Sequence, residues 1–182
     1  VLTPTATSPK ATFENGKVKE MIFRSCFIDP FQGEVMARFA AESLKVKTAA
    51  IYVDNSSDYS KGLAEVFRAA FTKMGGQIVA EEAFLQKDTD FKSAITKIKA
   101  ANPDVIFVPA YYQEVGMIVK QAREMGVTIP LIGTDGWDSP KLVEIAGAAA
   151  LNNTFFSNHY SADDKDPHIQ AFVEAYKKEY NQ

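Results

Sequence analysis

The run at residues 49–53, AAIYV, is apolar at every position apart from the hydroxyl of Tyr52, so neither of its alternating faces is suited to water. A strand of this kind is buried on both sides, as in parallel sheets covered by helices above and below. The chain then turns polar at Asp54, Asn55, Ser56, Ser57 and Asp58, whose short side chains hydrogen-bond local backbone and favour turns. Ser60 is the expected helix N-cap. Leu63, Val66, Phe67, Ala70, Phe71 and Met74 follow at spacings of three and four, one apolar stripe able to lie back on the sheet, and Gly75 and Gly76 end the helix.

This strand, loop and helix recur along the chain. A strand over residues 21–27 precedes Asp29-Pro30, an N-cap and first-turn proline opening a helix to about Lys45, with Val35, Met36, Phe39, Ala40 and Leu44 for its inner face. Further strands are expected at 77–84, 105–108, 130–133 and 154–156. Helices fall between them at about 91–101, 113–125 and 139–147. Alternation of this kind with short connections predicts an α/β fold, a parallel doubly wound sheet with helices on both faces. Residues 161–167 are polar and linker-like. Helix 168–180 carries Ile169, Phe172, Val173 and Tyr176 on one face, which the sequence leaves without an evident cover and which therefore favours a homodimer.

Composition removes several function classes. Basic (20) and acidic (23) side chains are dispersed along 182 residues, and the formal charge of -3 offers nothing for nucleic acid. No GxGxxG, GxxxxGK[ST] or GxSxG motif is present. His159 and His168 have no metal-ligand spacing and read as surface or linker residues, and a single Cys26 supports neither a disulfide framework nor a thiol metal cluster. Asp54 reads as a turn former. No catalytic residue, cofactor or metal is expected. The apolar runs are too short to span a bilayer, and a start of VLTP suggests a processed or trimmed piece of a longer protein.

Chemistry concentrates where three strands end. Tyr59 follows the first, Tyr111 and Tyr112 another, Asp135 and Trp137 a third. In open α/β sheets the loops at the strands' carboxyl ends converge on a ligand crevice. One carboxylate, tyrosine hydroxyls and aromatic faces suit a small molecule with a cationic group, such as an amino acid.

The segments TPTATSP (3–9), FRSCFIDPFQG (23–33), YVDNSSDYSKGLAEVF (52–67), FVPAYYQEVGMIVKQAREMG (107–126) and GTDGW (133–137) resemble, in order and spacing, the type I periplasmic binding proteins. The likeness is specifically to substrate-binding proteins of branched-chain amino acid ABC transporters and spans nearly the whole chain. It implies one lobe of a two-lobe fold that closes over ligand. Residues 1–20 would cross from a missing N-terminal lobe, 21–157 would form the C-terminal ligand-binding lobe, and 158–182 would be a hinge crossing and a helix of the N-terminal lobe. The resemblance assigns Tyr59 and Tyr111 to ligand contact, Asp135 to the ligand ammonium, and Thr5 and Thr7 to the crossing segment that holds the ligand's carboxylate and ammonium. Asp135 stands where leucine-binding members use a glutamate; the shorter acid and the neighbouring Trp137 imply a pocket of different depth. The implied function is non-catalytic capture of an amino acid or related small polar ligand for an ABC permease, in the periplasm or outside the cell, with a lipid anchor one form of attachment. A ligand-sensing regulatory domain of the same fold, an amide sensor or receptor ectodomain, is the alternative.

Overall fold

The computed structural model describes residues 1–181. Short strands open the chain: β1 (Leu2–Thr3), then β2 (Phe13–Glu14) and β3 (Lys17–Val18) in an antiparallel hairpin, then β4 (Phe23–Arg24), parallel to β1. The hairpin turns at Asn15 and Gly16, whose φ angles of 52° and 75° satisfy the left-handed geometry of a two-residue loop. The strand expected over 21–27 shrinks to Phe23 and Arg24, because β1 offers only Leu2 and Thr3 as partners. Arg24 supplies what pairing does not. Its Nη1 donates to the carbonyls of Ala6, Thr7 and Ser8 at 2.8–2.9 Å and its Nη2 to Thr12 Oγ1 at 2.8 Å, tying down residues 6–12.

Helix α1 (Asp29–Arg38) follows, with Pro30 in its first turn, and runs into a single π-helical stretch at Phe39–Ser43. The repeating part of the chain then runs β5 (Thr48–Asp54), α2 (Asp58–Lys73), β6 (Gln77–Phe84), α3 (Lys92–Ala100), β7 (Val105–Phe107), α4 (Tyr112–Glu124), β8 (Leu131–Gly133), a 3₁₀ turn at Asp135–Trp137, α5 (Pro140–Ala146) and β9 (Thr154–Phe156). These strands form one five-stranded sheet in the order β6-β5-β7-β8-β9, all pairs parallel. The order reverses direction at β5, which is the switch point where such sheets place ligands.

Burial follows the two-residue period of a strand covered on both faces. Ala50 and Tyr52 of β5, Ile106 of β7 and Leu131 of β8 join Phe91, Ile95, Ile118 and Val119 under α3, α4 and α5. Ala49, Ile51 and Val53, with Phe107 and Ile132, join Met36, Leu63, Phe67 and Phe71 under α1 and α2. The stripe expected on α2 holds at Leu63, Phe67 and Phe71, all fully buried, whereas Met74 at its end is exposed. Close approach of α1 to α2 depends on Gly33: a Cβ there would stand 2.7 Å from Val66 Cγ1, inside any tolerable contact. Helix α6 (Pro167–Tyr180) buries no residue, and Phe172, Tyr176 and Tyr180 are exposed along it.

Candidate ligand-binding site

The first turn of α2 sets one wall. Ser57, not Ser60, caps this helix, its side chain accepting from the Ser60 amide. The Ser60 hydroxyl is buried and accepts from the Asp54 amide at 2.9 Å instead. Asp54 is scaffold, its carboxylate receiving the Ser56 amide at 2.9 Å in an Asx turn. This arrangement puts Tyr59 inside the first turn of α2, nearly buried, with its ring stacked on Tyr111 at a centroid distance of 5.0 Å and an interplanar angle of 18°. Tyr111 directly precedes α4 and remains 41% exposed, so its ring forms the open side of the pair.

Asp135 joins them from the loop after β8. Tyr59 Oη donates to Asp135 Oδ1 at 2.6 Å. A phenol has one proton and a carboxylate can only accept, so the contact of 2.7 Å between Tyr59 Oη and Thr134 Oγ1 has the threonine donating. The Gly136 amide donates to the same phenolic oxygen at 3.1 Å. Tyr59 is thereby fully used: two groups polarise its oxygen while its proton serves Asp135. Burial, then the Asp135 charge, push the Tyr59 phenol far above its ordinary range, and burial with the Asp135, Asp29 and Asp54 charges raises Tyr111. Both tyrosines are neutral at physiological pH, so the carboxylates carry the negative charge of this pocket.

The second clamp on Asp135 comes from Gln32 on α1, a residue that the sequence reading passed over. It is 1% exposed. Its Nε2 donates to Asp135 Oδ1 at 2.9 Å, while its Oε1 accepts from the Asp135 amide at 3.1 Å and from Ser157 Oγ at 2.8 Å. The two amide contacts of opposite sense fix the orientation of the glutamine head group. Asp29, one turn earlier, is also buried, and its amide donates to the Thr7 carbonyl at 3.1 Å. Asp29 and Gln32 lie seven and four residues before Met36, a spacing that puts all three on the helix face toward the core.

With Oδ1 taken by Tyr59 and Gln32, Asp135 Oδ2 has no protein partner among the described residues, and Asp135 is only half-buried. The site therefore presents one carboxylate oxygen beside an exposed aromatic face. That is a fitting receptor for a cationic nitrogen carried on an apolar or small polar body.

Trp137 is elsewhere. The sequence put it on the cleft wall; the structure packs it in the core at 0% exposure, its Nε1 donating to the Val108 carbonyl at 2.9 Å. The physical reason lies in Gly133, where a Cβ would come within 2.0 Å of the indole: the glycine leaves the volume that the ring occupies. Trp137 supports the Asp135 loop from below. Thr7 is buried beside Asp29, and Thr5 is exposed on the segment after β1. Among the described residues no cluster of three or more His, Cys, Asp or Glu could hold a metal ion, and no helix is long and apolar enough to cross a membrane.

The model of the periplasmic binding protein family matches residues 1–182. The chain belongs to that family. It is similar to Leu/Ile/Val-binding protein homolog 3 of Brucella melitensis, 33% identical over 97% of the chain and 46% of the relative. Among solved structures it resembles the leucine-binding protein LivK of Thermotoga maritima, at 38% identity and a TM-score of 0.90 over all of this chain and 50% of that one. It also resembles the substrate-binding protein LivJ of Streptococcus pneumoniae, solved in complex with isoleucine, at 39% identity and a TM-score of 0.82 over 90% of this chain and 47% of that one. The chain spans about half the length of these relatives. Its five-stranded sheet and flanking helices are thus one lobe of a type I periplasmic binding protein of the branched-chain amino acid group.

Proposed function

We propose that this lobe forms one wall of a non-catalytic, extracytoplasmic receptor that captures an amino acid, of branched-chain type or a small polar relative, and delivers it to an ABC permease. The observation that carries the reading is the Asp135 carboxylate, clamped through one oxygen by Tyr59 and Gln32 and open at the other, next to the exposed ring of Tyr111. A ligand ammonium pairs with the open oxygen, and the apolar part of the ligand lies along the tyrosine face. The segment after β1 that carries Thr5 and Thr7 supplies backbone groups and the Thr5 hydroxyl toward the ligand's polar end. Closure of the second lobe excludes water and strengthens the charge pair. The relatives named above, Leu/Ile/Val-binding and leucine-binding proteins, support the ligand class.

The test is calorimetry of the full-length protein against the common amino acids and their uncharged analogues. Binding of leucine, isoleucine or valine is the expected result. Binding of an amide or sugar with no response to any amino acid would overturn the proposal.

A further inference from the structure

Asp29 stands out among the buried groups because the described site does not use it. It is 2% exposed, and its Oδ1 is the one buried side-chain oxygen or nitrogen without a hydrogen-bond partner among the described residues. An orphaned carboxylate oxygen inside a protein is costly unless something offsets it, and its neighbours here are those of the ligand site. The Thr7 hydroxyl lies against the carboxyl from the segment after β1, the Asp135 charge from the loop after β8, and the Arg24 guanidinium from β4; Tyr111 senses Asp29 from the start of α4. On the outer side, Lys10, Asp58, Lys61 and Glu65 line the same groove as Asp29, and Asp58 there is already paired with both lysines. Arg24 is committed to the carbonyls of Ala6, Thr7 and Ser8. Arg24, bonded to uncharged carbonyls, acts on Asp29 only through its field, and Asp135 adds a like charge.

We infer that Asp29 is a second, proton-linked carboxyl of the ligand site, acting through Thr7 and Asp135 rather than by touching the ligand. This rests on the reading that the ligand carries an ammonium. Burial above all, with Asp135 adding to it and the Thr7 hydroxyl and Arg24 opposing, raises the Asp29 carboxyl from 3.8 to about 6 in the unliganded lobe. An ammonium placed on Asp135 cancels the like charge and adds a positive one nearby, so Asp29 ionises and a proton leaves with binding. Ionised Asp29 then accepts from the Thr7 hydroxyl and lends negative potential to the ammonium subsite. It is a positioning residue, one whose contribution depends on pH where a purely structural carboxyl would give none.

The sign follows from linkage: a group whose acidity increases on binding makes binding tighter as pH rises through its unliganded pKa. A fall of about one pKa unit on binding leaves leucine about fivefold weaker at pH 5 than at pH 7.5, with about half a proton released near pH 5.5. The experiment is calorimetry of the full-length wild-type protein with L-leucine from pH 5 to 8, in paired buffers of different ionisation enthalpy, repeated with Asp29→Asn. Wild type should show proton release near pH 5.5 and the fivefold loss, and Asp29→Asn should flatten both. The wild-type measurement needs no variant, so a poorly folded Asp29→Asn leaves the test intact. Leucine binding with no buffer dependence and a flat profile overturns this inference alone. If no ammonium-bearing amino acid binds at any pH, it falls together with the proposed function.

Discussion

Replacing Gln32 by glutamate keeps the shape of the side chain and reverses what it offers to Asp135. The Nε2 donor, 2.9 Å from Asp135 Oδ1, becomes a carboxylate oxygen at the same place. Two unit charges at that separation repel by about 6 kcal/mol at an effective dielectric of about 20. Asp135 is half-buried and can move toward solvent, and the Oε1 side keeps its bonds from the Asp135 amide and Ser157, so roughly half of that repulsion should survive, about 2–4 kcal/mol. The pair escapes by sharing a proton, as close carboxylates do, which raises the introduced carboxyl above its unfolded value of about 4.3. A group raised on folding destabilises the fold only where it would be ionised in the unfolded chain. The deficit of the variant relative to wild type is therefore small below about pH 4, grows as pH rises, and levels off above the folded pKa. Urea denaturation of both proteins from pH 4 to 8 reads this difference directly. A deficit of the same size at every pH would refute the claim that Gln32 works by donating to the Asp135 carboxyl, and would leave it as packing alone.

Tyr59→Phe retains the stack on Tyr111 but strands the buried Thr134 hydroxyl and removes one clamp from Asp135; a stability loss of about 1–3 kcal/mol and roughly tenfold weaker leucine binding are expected from denaturation and calorimetry. Asp29, raised to about 6 when folded, binds a proton between about pH 4 and 6 that the unfolded chain has lost, so it costs stability as pH rises through that window; the stability of Asp29→Asn relative to wild type should climb by about 2–3 kcal/mol from pH 4 to 7, and a constant difference would contradict the assignment. The exposed Phe172, Tyr176 and Tyr180 on α6 predict self-association of the 182-residue chain in a concentration-dependent way; a monomer in light scattering at high concentration would count against it.

Much of the fold can be read from the sequence because burial on both sides of a parallel sheet leaves unambiguous periods. β5 alternates Ala50 and Tyr52 to one core with Ile51 and Val53 to the other, and α2 commits Leu63, Phe67 and Phe71 to a single stripe. The convergence of Tyr59, Tyr111 and Asp135 follows from the same regularity, since three adjacent strands end on one edge. What sequence spacing leaves open is the direction of a side chain within a tight turn. Asp135 and Trp137 occupy one 3₁₀ turn, yet one faces the cleft and the other the core, and the deciding factor is space above Gly133 that no periodicity reports. Asp29 and Gln32 were obscure for a different reason. Polar residues in a first helical turn read as caps or solvent-facing groups, and the burial of Gln32 depends on partners more than a hundred residues away in Asp135 and Ser157.

Everything proposed for the site turns on Asp135 being the charge that holds the ligand. Asp135→Asn keeps an oxygen able to accept from Tyr59 while removing the negative charge from the open position. Calorimetry of this variant in the full-length protein should show leucine binding weaker by about two orders of magnitude at neutral pH, as expected for loss of a partly buried charge pair. Unchanged affinity, in a variant whose unfolding curve matches wild type, would contradict the account.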